Sequence, residues 1–228
     1  MRVDDDLRGG KQPGGKQSPQ LYSAGCHYTR VTGIWQTVWM EAVDYQALKH
    51  VFAIPDIDQQ QLVVRPEFYD ENSSNTLTVE VLDGKKTIAK RSAKATNLST
   101  IVLPMKNARL WSPEDPYLYD VKYTVRNAKG DIIDQVSSYV GMRKVHIQDG
   151  YFYLNNKPYF QRLVLDQGYY PDGIWTAPSD EALKQDIAMS KAVGFNGARL
   201  HQKVFEERYY YWADRLGYLT WGEEASWG

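Results

Sequence analysis

The stretch that most constrains this chain lies near its carboxyl end, where two helical patterns alternate with short apolar strands. Ser179 is placed as an N-cap after Pro178, with Asp180 and Glu181 favouring the positive end of a helix dipole. Leu183 and Ile187 share one helical face, joined by Ser190, with Met189 and Val193 beside them, and Gly194 closes the helix. Asn196 to Leu200 reads as a buried strand. A second helix carries Phe205, Tyr209, Trp212 and Leu216 along one face and stops at Gly217. Tyr218 to Trp221 is the next strand, and it ends at Gly222-Glu223-Glu224. Upstream, Tyr151–Leu154, the turn Asn155-Asn156-Lys157-Pro158 and Tyr159–Leu165 suggest a hairpin feeding a first strand. The order is β-α-β-α-β, which predicts right-handed crossovers and a parallel sheet. In such a unit, polar residues at strand carboxyl ends point to where ligands sit. Arg199 and His201, closing the run Gly194–His201, are therefore the first candidates for function.

Almost everything before this unit reads as β. Leu62–Pro66 is a strand candidate that Pro66 pushes to an edge or bulge. Leu77–Leu82 leads into Asp83-Gly84, a hairpin turn signal, with Thr87–Ala89 returning. Ile101–Leu103, Leu118–Val125 and Ile132–Val140 continue the pattern, with a turn at Asn127–Asp131. About seven short strands in about 100 residues, punctuated by turns, predict an immunoglobulin-like sandwich. Further upstream, Ile34–Val43 predicts a strand apolar on both faces. No earlier segment matches it as a partner, so the chain is expected to start inside a domain. Residues 1 to about 20, rich in Gly, Lys, Gln and Pro, read as loop or disorder.

Composition narrows the function classes. A net charge of −1 over 228 residues gives no electrostatic case for nucleic acid or an anionic membrane. No run approaches the roughly 18 apolar residues of a membrane span. Met1 to Asp6 has no apolar region behind it and does not resemble a signal peptide. A single cysteine, Cys26, forbids an internal disulfide and leaves the compartment open. Seven Trp and 17 Tyr are consistent with plain core and edge packing, or with flat apolar platforms for a sugar ring.

Several stretches in order resemble glycoside hydrolase family 2, the family of β-galactosidases, β-glucuronidases and β-mannosidases. Thr32–Trp39 is similar to the last strand of that family's sugar-binding sandwich. Leu110–Tyr119 (LWSPEDPYLY) and Ser138–Lys144 (SYVGMRK) resemble marks of its second domain. Gly194–Arg199 with Ala213–Gly217 (ADRLG) resembles the opening of its catalytic barrel. The resemblance implies a fold that is mainly β plus α/β, an immunoglobulin-like β-sandwich followed by the first part of a (β/α)8 TIM barrel. It also implies three regions: residues 1–43 as the tail of a sugar-binding sandwich, 44–147 as the immunoglobulin-like domain, and 148–228 as a truncated barrel. A full barrel needs roughly 250 residues, so this one is expected to stop after its third strand.

Family members hydrolyse β-glycosidic bonds with retention, using two glutamates from later strands. Neither glutamate is expected in this chain. Glu223 and Glu224 are adjacent, and adjacent strand residues point to opposite sides, which is poor acid/base geometry. The positions carried over are substrate-binding ones. Arg199 matches the family's arginine at the second strand, where its fork would bind sugar oxygens or orient a carboxylate; a buried ion pair is the plainer alternative. The family's motif continues with Ser-His-Tyr-Pro, whereas Leu200-His201-Gln202-Lys203 follows Arg199 here with its histidine one position earlier than the family's, so for His201 a structural histidine competes with a substrate contact. Arg162 matches the first strand, but Leu163 and Leu165 replace an expected Gly and Asn. Asp166 then stands at the strand's end, as a sugar hydroxyl acceptor or a solvated loop residue. Ser226-Trp227-Gly228 stands where some members place a metal-binding histidine, so neither metal nor cofactor is implied. The partners implied are a carbohydrate substrate and either self-association or a missing remainder of the chain. The competing reading is a non-catalytic carbohydrate-binding or structural interaction module.

Overall fold

The computed structural model describes residues 2–4, 6 and 12–226. Met1, Asp5, Leu7–Lys11, Trp227 and Gly228 lie outside the described residues, so the expectations touching them stop there. The chain forms two compact units, Met40–Tyr159 and Met1–Trp39 with Phe160–Gly228.

The first unit is a two-sheet β-sandwich. One sheet is antiparallel β1-β2-β5, from β1 (Leu48–Asp56), β2 (Gln61–Phe68) and β5 (Ile101–Pro104). The other is β4-β3-β6-β7, from β3 (Thr76–Asp83), β4 (Lys86–Lys94), β6 (Tyr119–Arg126) and β7 (Ile132–Val140). The period-two alternation puts Leu62, Val64, Leu77, Val79, Val81, Val121 and Tyr123 into one core. Asp83 pairs with Lys86 across Gly84, whose φ of 58° supplies the turn. Pro66 is tolerated in β2 because β5 pairs only with Gln61–Val64, leaving its missing N–H on an unpaired side. Strand β1 had no clear signal in sequence, because only Leu48, Val51 and Ala53 of it pack on the core while Phe52 and Ile54 are exposed.

Trp111 is buried, stacked under the Arg143 guanidinium at 4.4 Å, and tied to Met142 O and Asn155 through its own backbone. A small meander follows: β8 (Val145–Gln148), β9 (Tyr151–Leu154) and β10 (Lys157–Pro158). Asn155 and Asn156 hold positive φ at its turn, as a two-residue hairpin demands.

The second unit contains a three-stranded parallel sheet, β11 (Leu163–Asp166), β12 (Gly197–Leu200) and β13 (Leu219–Gly222). Helices α1 (Asp180–Ala192) and α2 (Glu207–Leu216) make the crossovers. Ser179 caps α1 by accepting from the Ala182 N–H at 3.1 Å, and Gly194 and Gly217 take φ of 98° and 73° past the helix ends. Leu183, Ile187, Ala198, Leu200, Phe205 and Tyr209 form the core between sheet and helices.

One expectation is corrected and one is extended. Residues 34–43 form no strand, and Val38, Trp39 and Met40 are well exposed. An apolar alternation becomes a strand only where a neighbour completes its ladder, and no described segment does so. Residues 12–20 carry no helix or strand, yet Lys16 and Ser18 are buried, and their backbones exchange hydrogen bonds with Tyr28 at 2.8 Å. Polar composition reported the lack of periodicity there but not the packing.

Candidate functional site

Strand register decides which side chains share a face. Leu165, Arg199 and Trp221 lie side by side across β11, β12 and β13, and all three are exposed on the face away from the helices. Asp166, Leu200 and Gly222 form the next row and point to the opposite, helix-covered face.

On the open face, Glu223 gathers the chemistry just beyond β13. Its Oε1 accepts from Arg199 Nε. Its Oε2 lies 2.9 Å from His201 Nδ1 and accepts the Gln202 backbone N–H at 3.0 Å. Burial pushes the Glu223 carboxyl pKa up, but the bonds from Arg199, Gln202 and His201 outweigh it and hold it below the usual value. A carboxylate so held only accepts, which assigns the proton of that contact to His201 Nδ1. Among the described residues, Arg199 meets a carboxylate through Nε alone, and its guanidinium is half exposed beside Trp221. A planar fork next to a flat indole suits a sugar ring, with hydroxyls on the fork and C–H groups on the ring.

Gln202 holds the loop after β13 in place. It sits at φ 60°, donates Nε2 to Ser226 Oγ at 2.9 Å and accepts Ser226 N–H at 2.8 Å. Gly15 passes directly over it, since an added Cβ there would meet Gln202 O at 2.6 Å.

Asp166 is placed differently. Its Oδ2 accepts from the buried Tyr209 hydroxyl at 3.0 Å, its Oδ1 accepts the Gly168 N–H at 2.9 Å, and its carbonyl accepts the His201 N–H at 2.7 Å. The structure therefore joins Arg199 to His201 through Glu223 and leaves the Asp166 carboxylate on the far side of the sheet. There it borders a cavity of about 550 Å³ along β11 and α1, lined also by Tyr28, Gln167, Tyr169, Asp186 and Ser190. Burial raises the Asp186 pKa, against the Tyr170 hydroxyl that donates to it at 2.7 Å. Among the described residues, no cluster of His, Cys, Asp or Glu is arranged to hold a metal ion.

The residue that sequence reasoning passed over is Lys203. It is 1% exposed, and its Nζ donates to Gly168 O and Trp175 O, both at 2.7 Å. The rings of Trp35 and Phe205 lie 4.8 Å from that ammonium and Trp175 lies 5.9 Å away. The only local hint was a lysine directly after a strand end, between a histidine and a phenylalanine.

Residues 46–143 match the family model described as glycosyl hydrolases family 2. A β-galactosidase of Leuconostoc mesenteroides is 30% identical over 181 residues, 71% of this chain and 17% of its own length. One from Photobacterium profundum is 24% identical over 210 residues, 82% and 20%. The chain spans a quarter or less of the curated relatives it matches. Among solved structures, a Ruminococcus gnavus β-glucuronidase in complex with D-glucuronic acid aligns with a TM-score of 0.70 at 21% identity. That alignment covers 79% of this chain and 30% of that one.

Proposed function

Because the chain belongs to glycosyl hydrolase family 2, we propose that it is part of a retaining hydrolase of β-glycosidic bonds, carrying one edge of its sugar site. The single observation that carries this reading is the group at the carboxyl ends of β12 and β13. Arg199, His201 and Glu223 are held together there on an open sheet face beside Trp221. In this reading, residues 1–43 end a sugar-binding sandwich, 44–147 are the immunoglobulin-like domain, and 148–228 open a TIM barrel with β11-α1-β12-α2-β13. Parallel order and helical crossovers support that reading.

The chemistry follows from what each group can still do. Retention needs a nucleophilic carboxylate and a general acid about 5–5.5 Å apart across the scissile bond. Glu223 already accepts at both oxygens and is held ionised, so it is a poor proton donor. Its role is to orient Arg199 and His201. Arg199 then presents its terminal nitrogens to sugar hydroxyls, and Trp221 offers a stacking face. Asp166, facing the helices, would reach sugar only from the cavity beside α1. The two catalytic glutamates are not assigned to this chain.

Saturation-transfer NMR of the 228-residue chain with methyl β-D-galactopyranoside and methyl β-D-glucuronide tests the binding reading. Transfer to ring protons that is lost in Arg199→Ala is expected, together with no turnover of nitrophenyl β-glycosides. Turnover by the chain alone, abolished in Glu223→Gln, would overturn the assignment of Glu223 as an orienting group. Transfer that survives Arg199→Ala and is retained by residues 44–147 alone would favour a non-catalytic binding module on the sandwich.

A further inference from the structure

The loop after β11, residues 167–178, is held in a conformation that its own sequence resists. Ile174, β-branched, sits at φ 55°, a region such residues rarely occupy. Gly173 is packed so tightly that an added Cβ would fall 1.8 Å from Thr176 O. Strain of this kind persists only where the surroundings over-determine it. Within the loop, Tyr170 and Ile174 exchange backbone hydrogen bonds at 2.8 and 3.0 Å. Two contacts come from the amino-terminal segment: Tyr28 stacks on Tyr169 at 4.1 Å, and Trp35 stacks on Trp175 at 4.7 Å while its carbonyl accepts from Thr176.

Beneath these stacks lies Lys203. Its two carbonyl acceptors, Gly168 and Trp175, come from the two ends of the loop, so one ammonium ties both ends together. Gly168 is shaped for this: at φ 62°, an added Cβ would stand 2.7 Å from Lys203 Nζ and 2.8 Å from the Phe205 ring. Around the ammonium are charged groups from each neighbouring element: Asp166 at the end of β11, Asp186 on α1, which accepts from Tyr170 of the loop, and Glu206 ahead of α2. None of the three carboxylates makes a direct ion pair with Lys203; the ammonium's contacts are carbonyls and ring faces.

We propose that Lys203 is a positioning residue: it clamps both ends of the 167–178 loop and so sets the wall in which Tyr169 and Trp175 stack on Tyr28 and Trp35. The clamp rests on the loop geometry. Its purpose, to shape one side of a sugar-binding region at the sheet's carboxyl end, rests on the proposed function. Burial lowers the Lys203 pKa to about 8, against the pull of Glu206, Asp166 and Asp186. The sign of the resulting pH effect follows from linkage. With the loop closed, the lysine gives up its proton near pH 8; with the loop open to water, it returns to its ordinary range near 10.5. Opening therefore takes up a proton, and raising the pH above 8 favours the closed loop.

Quench-flow hydrogen exchange on the whole 228-residue chain tests this through protection factors of the loop amides, with those of α1 as internal reference. In the unaltered protein, loop protection should rise about tenfold or more between about pH 7.5 and about pH 9.5 while α1 stays flat. In Lys203→Met, Gly168 O and Trp175 O lose their donor; loop protection should fall about tenfold or more and lose its pH dependence. A flat loop profile in the unaltered protein overturns the clamp, as does Lys203→Met protection within about twofold of the parent. Should Lys203→Met fail to fold, the pH profile of the unaltered protein decides alone. The sugar reading fails separately: absence of saturation transfer from either methyl glycoside would remove the clamp's purpose but leave the exchange result standing.

Discussion

Tyr209→Phe separates the two roles open to Asp166. The substitution keeps the ring, which is 1% exposed in the core between sheet and helices, and removes only the hydroxyl. No cavity of consequence forms, so the cost is that of one hydrogen bond. The lost bond runs from the hydroxyl to Asp166 Oδ2 at 3.0 Å, and Oδ1 keeps the Gly168 N–H. Hydrogen bonds to charged groups contribute about 1.5–3 kcal/mol; with one other donor kept and Asp166 only half-buried, the lower end, about 1.5–2 kcal/mol, is expected. Urea unfolding followed by tryptophan fluorescence reads this well, because six of the seven tryptophans belong to the unit containing the parallel sheet. With a slope of about 2 kcal/mol/M, the midpoint should fall by about 0.75–1 M at unchanged slope. The same loss should be absent when Tyr209→Phe is made on Asp166→Ala, since the acceptor that the hydroxyl serves is gone. A change below about 0.5 kcal/mol in the original background would refute the reasoning and return Asp166 to the list of ligand contacts.

Two further outcomes follow from the site. Gly197→Ala places a Cβ 2.5 Å from Leu219 O and 2.7 Å from the Leu163 side chain, so both neighbouring strands must move. A loss of about 1–3 kcal/mol is expected in the same urea experiment, and an unchanged midpoint would mean that the strands do not approach as closely as described. Glu223 has a depressed pKa in the folded chain, so its stabilisation is present above the ordinary value of 4.5 and lost as the pH falls below it. The stability difference between the parent and Glu223→Gln should therefore be largest near neutrality and shrink toward pH 3. A difference independent of pH in that window would show that the carboxylate's charge is not what Arg199 and His201 recognise.

Legibility in the sequence tracked how local each cause was. The caps of α1, the glycines closing both helices and the Asp83-Gly84 hairpin each depend on a few adjacent residues, and each stands where local chemistry puts it. The Ile34–Val43 alternation failed because a strand is a property of two segments, and the pattern reports only one. Asp166 was grouped with Arg199 because both close parallel strands. Yet the register pairs Arg199 with Leu165 and Asp166 with Leu200, which sends the two side chains to opposite faces. No pattern within either strand contains that offset. Lys203 was invisible for the same reason, since its acceptors are carbonyls 35 and 28 residues away, and any residue type can supply a carbonyl.

The non-local causes are also the ones that build the site. Arg199 alone on an exposed strand would be a mobile cation, and Glu223 alone a solvated acid. Parallel pairing sets Arg199 beside Trp221, two residues before Glu223, so the carboxylate falls within reach of both Arg199 and the turn carrying His201 and Gln202. Gln202 then fixes the segment through Ser226, and Lys203, the next residue, fixes the loop on the other side of β12. Consecutive residues after one short strand thus hold the two loops that flank it. The run Leu200–Lys203 therefore departs from the family's Ser-His-Tyr-Pro and still organises the loops on both sides of β12, which in the proposed function is one edge of the sugar site. Its work is done by side chains that anchor neighbouring backbone, and the group left facing outward is the Arg199 fork.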